Sequence, residues 1–131
     1  MALKYLSDEW IIEVATEVAG NATVQALGAA HEFGLTQVVS ATPFGDVTYN
    51  LQVGNGAVRF SGGAASPEHV RFTQSYETAV AVATAKLNAQ EAFINGLIRF
   101  SGDHQRLIDG QDVFVQLDVA FTSVRLRTEY Q

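Results

Sequence analysis

The stretch VRFSGG at residues 58–63 has two relatives in the chain, VRFTQS at 70–75 and IRFSGD at 98–103. Each places a β-branched aliphatic residue, an arginine and a phenylalanine in a row, followed by serine or threonine. In a β-strand the aliphatic residue and the phenylalanine share one face, and the arginine points to the other. The copies are unevenly spaced, so we interpret them as three strands of one sheet rather than as a repeat. An anion-binding strip formed by the three arginines is the alternative.

A fourth strand is predicted upstream, where DVTYNLQV at 46–53 alternates strictly. The GNG at 54–56 that follows it is typical of a hairpin turn. The apolar face of this strand carries Val47, Tyr49, Leu51 and Val53, and its other face carries Thr48, Asn50 and Gln52. Together the four segments predict an antiparallel sheet with one apolar face and one polar, solvated face.

Helices are predicted on both sides of these strands. Ser7 is a suitable N-cap for a first helix, and two further helices are predicted within 76–97. Asp103 then caps a long final segment. Its apolar stripe contains Leu107, Phe114, Leu117, Phe121 and Val124, and is widened by Ile108, Val115 and Val119. The pattern predicts an α+β fold with helices on one face of the sheet.

Composition narrows the possible partners. A chain of 131 residues is expected to form a single domain over 1–131. With 14 acidic and 8 basic residues its formal net charge is -6, which argues against nucleic acid as a partner. The chain has no cysteine, which fits a cytoplasmic location. No signal peptide and no apolar run long enough to span a membrane are recognisable.

No motif for catalysis or for a cofactor is visible. His31, His69 and His104 are scattered without metal-ligand spacing, and no glycine-rich phosphate loop or nucleophile motif occurs. Asp103 is better interpreted as an N-cap than as a general acid. The sequence therefore predicts a protein that is not an enzyme and holds neither cofactor nor metal.

The stretch YETAVAVATAKLNAQEAFINGLIRFSGDHQRLI at 76–108 resembles the sterol carrier protein type 2-like (SCP-2 sterol transfer) family, in a small stand-alone form of bacterial type. In that family a helix is followed by an ALxxGxIKIxGD-like segment and a C-terminal helix. The matching positions here are Phe93, Ile94, Asn95, Gly96, Ile98, Arg99, Phe100, Ser101, Gly102 and Asp103. The resemblance extends over roughly 32–127, including the hairpin at 42–60. Arg99 stands where lysine is usual, and the C-terminus lacks a peroxisomal address.

The resemblance implies about five mostly antiparallel strands, helices on one face and an apolar tunnel between the layers. It also implies a small hydrophobic ligand such as a fatty acid, an acyl-CoA or a sterol-like lipid. Each residue chosen as lining could equally belong to the plain core. The candidates for the lining are Phe60, Phe72, Phe93, Ile94, Phe100, Leu107, Phe114, Leu117 and Phe121.

Two other functions remain open at this point. The chain could be an interaction module or homodimer that uses its polar sheet face or an exposed apolar stripe around Trp10. It could also be a small enzyme resembling ketosteroid isomerases, which requires a carboxylate inside an apolar pocket. The acids considered for that role are Asp46, Asp103 and Asp118.

Overall fold

The computed structural model describes residues 3–130, apart from the side chains of Ala89, Gln90, Asp118, Thr122 and Ser123. Its elements in chain order are β1 (Leu3–Lys4), α1 (Asp8–Ala19), α2 (Ala22–Leu27), β2 (Phe33–Thr42), β3 (Gly45–Gly54), β4 (Ala57–Gly62), β5 (Val70–Ser75), α3 (Tyr76–Ala83), α4 (Ala89–Ile94), β6 (Ile98–Gly102), α5 (His104–Asp109), α6 (Gln111–Leu126) and β7 (Thr128–Glu129).

Five strands form one sheet in the order β4-β3-β2-β5-β6, and β1 pairs separately with β7. In the large sheet β2 and β5 are parallel, while the other three pairings are antiparallel. The helices pack on one face of this sheet, which we call the inner face. The predicted α+β fold with a mostly antiparallel, five-stranded sheet is confirmed.

The alternation of the three related stretches holds in the structure. Val58, Val70 and Ile98 lie on the inner face and are 2%, 1% and 9% exposed. Arg59 and Arg99, on the opposite side of their strands, are exposed. The pattern of aliphatic residue, arginine and phenylalanine therefore assigned both faces of β4, β5 and β6.

The outer face differs from its prediction, because it is not wholly solvated. The loop between β4 and β5 folds across it and buries Thr36 and Asn50 completely or almost completely. The Thr36 hydroxyl accepts a hydrogen bond from the backbone N–H of Ala65 at 3.0 Å, and the Asn50 amide donates to the Gly63 carbonyl at 2.9 Å. These polar side chains can be buried because loop backbone groups satisfy their hydrogen bonds.

Two long helices cover one end of the inner face. The predicted cap is confirmed: Ser7 precedes α1, and its hydroxyl accepts from the Trp10 backbone N–H at 3.2 Å. Trp10, Val14 and Val18 are the buried residues of α1, which packs on β4, and α6 packs against α1 and α2. The main hydrophobic core therefore lies between these helices and β4, β3 and β2.

The predicted long final segment forms two helices, α5 and α6, because the helical conformation is interrupted at Gly110. Gly110 is buried against Phe33, and a Cβ placed there would lie 2.8 Å from Phe33 Cε1. The absence of a side chain at Gly110 thus lets the start of α6 approach the ring of Phe33 in β2. No helix in the described range is both long enough and apolar enough to cross a bilayer.

The buried side of α6 is narrower than predicted. Val113, Leu117, Ala120 and Val124 form its buried side. Ile108, Val115 and Val119, predicted to widen the buried stripe, are 46%, 61% and 60% exposed. That part of the prediction is wrong, because at about 100° per residue Val115 and Val119, each two positions from Leu117, lie on the opposite side of α6.

Replacing Gly110 by alanine tests the close contact with Phe33. We expect Gly110→Ala to destabilise the fold by about 1–3 kcal/mol, since the added methyl group overpacks a buried site. Urea unfolding monitored by circular dichroism measures this change. Gly62→Ala is the matched control, because a Cβ at Gly62 would meet no atom within 4 Å. Equal stability of the two variants would contradict the proposed contact.

Candidate functional site

The other end of the inner face has a looser cover. Above β5 and β6 lie only the short helices α3, α4 and α5, of 8, 6 and 6 residues. Beneath these helices is a cavity of about 620 Å³. Its size falls within the usual range for small-molecule sites in proteins. We call this cavity the α4 cleft; it is lined by Gln37, Phe72, Gln74, Val82, Phe93, Ile94, Ile98, His104 and Leu107.

The floor of the α4 cleft is the inner face of three neighbouring strands. The register places Gln37 of β2 opposite Phe72 of β5, and Gln74 of β5 opposite Ile98 of β6. The short helices supply the roof: Val82 comes from α3, Phe93 and Ile94 from α4, and His104 and Leu107 from α5. Most of the surface offered by these residues is apolar.

The cleft opens to solvent beside α4. Ile94 is 80% exposed, Phe93 is 46% exposed and the neighbouring Leu97 is 47% exposed. Large apolar side chains are thus held in water at the entrance, which is typical of surfaces that receive a hydrophobic partner or ligand. The apolar tunnel that the resemblance implied is not shown, and the structure contains an open cleft instead.

Two glutamines are the unexpected part of the lining. The Gln74 side-chain N–H donates to the Gln37 side-chain oxygen at 3.1 Å on the floor of the cleft. The sequence held a signal for Gln74, since the alternation of Val70 and Phe72 continues to it. The lining residues that were not predicted from the sequence are Gln37, Gln74, Val82, Ile98 and His104.

Five of the nine predicted lining residues come together at the α4 cleft. Phe72, Phe93, Ile94 and Leu107 line it directly. Phe100 lies beside them, with its ring centroid 5.5 Å from that of Phe72 and 6.4 Å from that of Phe93. It also meets the ring of His104 edge-on at 5.6 Å.

The other four predicted lining residues lie in the main core. Phe60 packs against Tyr49, with ring centroids 5.1 Å apart, and Phe121 lies 6.1 Å from Phe60. Phe114 packs against Phe33 at 6.0 Å, and Leu117 is 6% exposed. The structure therefore separates the predicted set into a cleft group and a core group, and a ligand contact for the core group stays a prediction.

The residues required by the two alternative functions lie elsewhere. Asp46 is exposed and accepts a hydrogen bond from the Ala41 backbone N–H at 3.2 Å, while Asp103 caps α5. Neither lines the α4 cleft, and the side chain of Asp118 is outside the described residues. Trp10 is only 5% exposed, so the apolar stripe expected on the surface around it is buried instead. Among the side chains that the structure describes, no three acidic or histidine residues are grouped to hold a metal ion.

Comparison with known proteins identifies a family and a common fold. The sequence profile of the SCP-2 sterol transfer family matches residues 11–114. No curated protein sequence matches the chain.

Among solved structures, the apo form of sterol carrier protein 2 from Yarrowia lipolytica superimposes with a TM-score of 0.61 at 16% identity, covering 83% of this chain and 99% of that one. A candidate sterol carrier protein from Thermus thermophilus gives 0.59 at 16% identity, covering 92% and 86%. A palmitated sterol carrier protein 2-like protein from Aedes aegypti gives 0.52 at 17% identity, covering 92% and 95%.

Tyrosine ionisation tests whether the main core is closed, in contrast to the cleft. Burial raises the pKa of Tyr49 and, together with nearby tyrosines, that of Tyr5. Their contribution to stability is complete below about pH 10, the ordinary tyrosine pKa, and is lost as pH rises through the higher folded-state values. We expect ultraviolet titration of the folded chain to show fewer than its four tyrosines ionising at about pH 11.

Tyr49→Phe is the control for that titration, because it removes one of the late ionisations and leaves the ring. If all four tyrosines of the folded wild-type chain ionised together near pH 10, the closed core would be contradicted.

Proposed function

The chain belongs to the SCP-2 sterol transfer family, and from this premise we propose that it binds a lipid in the α4 cleft. One observation carries the proposal: a cavity of about 620 Å³ with a largely apolar lining lies open beside exposed apolar residues of α4. An aliphatic chain placed there would bury its own surface and that of the lining. The ligand contacts proposed are Phe72, Phe93, Ile94, Phe100 and Leu107.

The free energy gained by burying an aliphatic chain in the cleft is large enough to support measurable affinity. Burying one methylene group contributes about 0.8 kcal/mol, so a twelve-carbon chain gains about 10 kcal/mol before costs. Lost translational freedom and ordering of the chain remove several kcal/mol of this gain. The remainder corresponds to binding in the micromolar range.

The residues that line the α4 cleft support ligand binding without catalysis. No described residue of the cleft is an acid, and His104 is the one titratable side chain among them. A general acid–base mechanism normally uses a pair of positioned groups with tuned pKa values. We therefore propose a carrier rather than an enzyme. Transfer between membranes and a cytoplasmic location remain predictions.

Association of two copies is a second candidate, supported by one observation. Val115, Val119 and Leu126 of α6 are 61%, 60% and 85% exposed. Their spacing along the helix puts them on one side, where a second chain could cover them. None of these three residues lines the α4 cleft, so the two functions are compatible.

Native mass spectrometry of freshly purified protein, followed by solvent extraction, tests the proposed function. We expect a lipid to be carried at close to one molecule per chain, because the apolar cleft is otherwise exposed to water. The same spectra distinguish one chain from two. A ligand-free mass, together with no saturable binding of any added lipid, would contradict the carrier function.

Filling the cleft should weaken lipid binding without unfolding the protein. In Val82→Trp the large side chain would project from α3 into the cavity and occupy space needed by the ligand. We expect fluorescent-lipid affinity to fall about tenfold or more, corresponding to at least about 1.4 kcal/mol. The matched control is Ile12→Trp, which adds a tryptophan at an exposed position of α1 that belongs neither to the cleft nor to the proposed contact between two copies. Unchanged lipid affinity of a folded Val82→Trp protein would place the ligand elsewhere.

A further inference from the structure

The polar groups on the floor of the α4 cleft offer hydrogen bonds that the protein does not use. Gln37 and Gln74 share a single hydrogen bond, and neither side-chain amide has another partner in the described part of the chain. Each amide group carries two N–H donors and one carbonyl acceptor. The pair therefore retains free donors and a free acceptor, and reversing both amides would not change this.

These amides lie among apolar side chains. Phe72 lies next to Gln74 on the inner side of β5, and Ile98 pairs with Gln74 across the sheet. An aliphatic ligand that covered them without a polar group would leave their donors and acceptor buried and unpaired, which costs free energy. The floor therefore favours a ligand with a polar group that reaches it.

The polar group that fits is uncharged. The described lining contains no lysine or arginine. Nearby cations are directed elsewhere: Arg99 lies on the outer side of β6, and Arg106 bonds to the Glu32 carbonyl and to Asp103. A carboxylate on this floor would lose its hydration without meeting a fixed positive charge. The net charge of -6 adds a further repulsion.

A hydroxyl group can pair with the free donors and with the free acceptor of the two amides, since it donates one hydrogen bond and accepts others. It also carries no charge. Resting on the proposed lipid-binding function, we propose that the α4 cleft selects long-chain alcohols over carboxylates of the same length, and that Gln37 and Gln74 determine this selectivity. An ester has only acceptor groups, so it satisfies the free donors but not the free acceptor. Its affinity should fall between those of the alcohol and the carboxylate.

The test compares three ligands that share a twelve-carbon chain and differ in the head group. 1-Dodecanol, methyl dodecanoate and dodecanoate compete with the uncharged fluorophore Nile red at about pH 8, where the carboxylate is fully ionised. We expect dodecanol to displace the probe at a concentration about tenfold lower than dodecanoate, equivalent to about 1.4 kcal/mol. The methyl ester should fall between them.

The double variant Gln37→Leu/Gln74→Leu keeps the volume of the floor and removes its hydrogen bonds. In this variant we expect the difference between dodecanol and the methyl ester to disappear, while the methyl ester still displaces Nile red. Gln105→Leu is the matched control, because Gln105 is an exposed glutamine of α5 that bonds to Asp109 and does not line the cleft. Its order of affinities should equal that of the wild type.

Two results would overturn the inference, and only one of them would also contradict the proposed lipid-binding function. If dodecanoate competes as well as dodecanol on the wild-type protein, the lipid site remains but its selectivity for a hydroxyl group is wrong. If none of the three ligands displaces the probe, the proposed function fails and the selectivity fails with it. Since the wild-type series decides between these results, the inference remains testable even if the double variant does not fold.

Discussion

The unequal cover of the sheet's inner face is the constraint on which the rest of the structure depends. The longest helices, α1 and α6, have 12 and 16 residues and close the core over β4, β3 and β2. The remaining strands, β5 and β6, continue the same apolar rows but are covered only by short helices. Apolar surface that the chain does not fully bury remains between these helices and the strands. A hydrophobic ligand in the α4 cleft would cover this apolar surface and exclude water from it.

Local rules were enough to predict the strands and their two faces. Strict alternation assigned Val58, Val70 and Ile98 to the inner face, and the capping residues Ser7 and Asp103 marked where α1 and α5 begin. Both signals depend on neighbouring residues alone, because pleating and helix capping are set within a few positions of the chain. For the same reason the phenylalanines could be assigned to a face but not to a region of it. Phe60 lies in the main core and Phe72 in the cleft, although both have the same local sequence pattern.

What the sequence could not predict depends on contacts between distant segments. Gly110 can be seen within the last helical segment, but its close contact with Phe33 of β2 cannot be derived from neighbouring residues. The burial of Thr36 depends on a backbone group of the loop at Ala65, which lies far along the chain. Nothing in the sequence indicates that the side chains of Gln37 and Gln74 meet, because 37 positions separate them along the chain. The two side chains are brought together because β2 and β5 are neighbouring strands of the sheet.

The pairing of β1 with β7 has a consequence for the order of folding. The backbone N–H of Leu3 donates to the Arg127 carbonyl at 2.6 Å, and that of Tyr5 donates to the Glu129 carbonyl at 3.1 Å. These bonds join opposite ends of the chain, so forming them closes a far longer loop than the hairpins of β2, β3 and β4. The ends are therefore expected to dock after the hairpins. Because the ring of Trp10, the single tryptophan, contacts Tyr5 as well as Tyr49 of β3 and Phe60 of β4, its fluorescence is expected to change in two steps, first when α1 packs on the sheet and then when the ends dock.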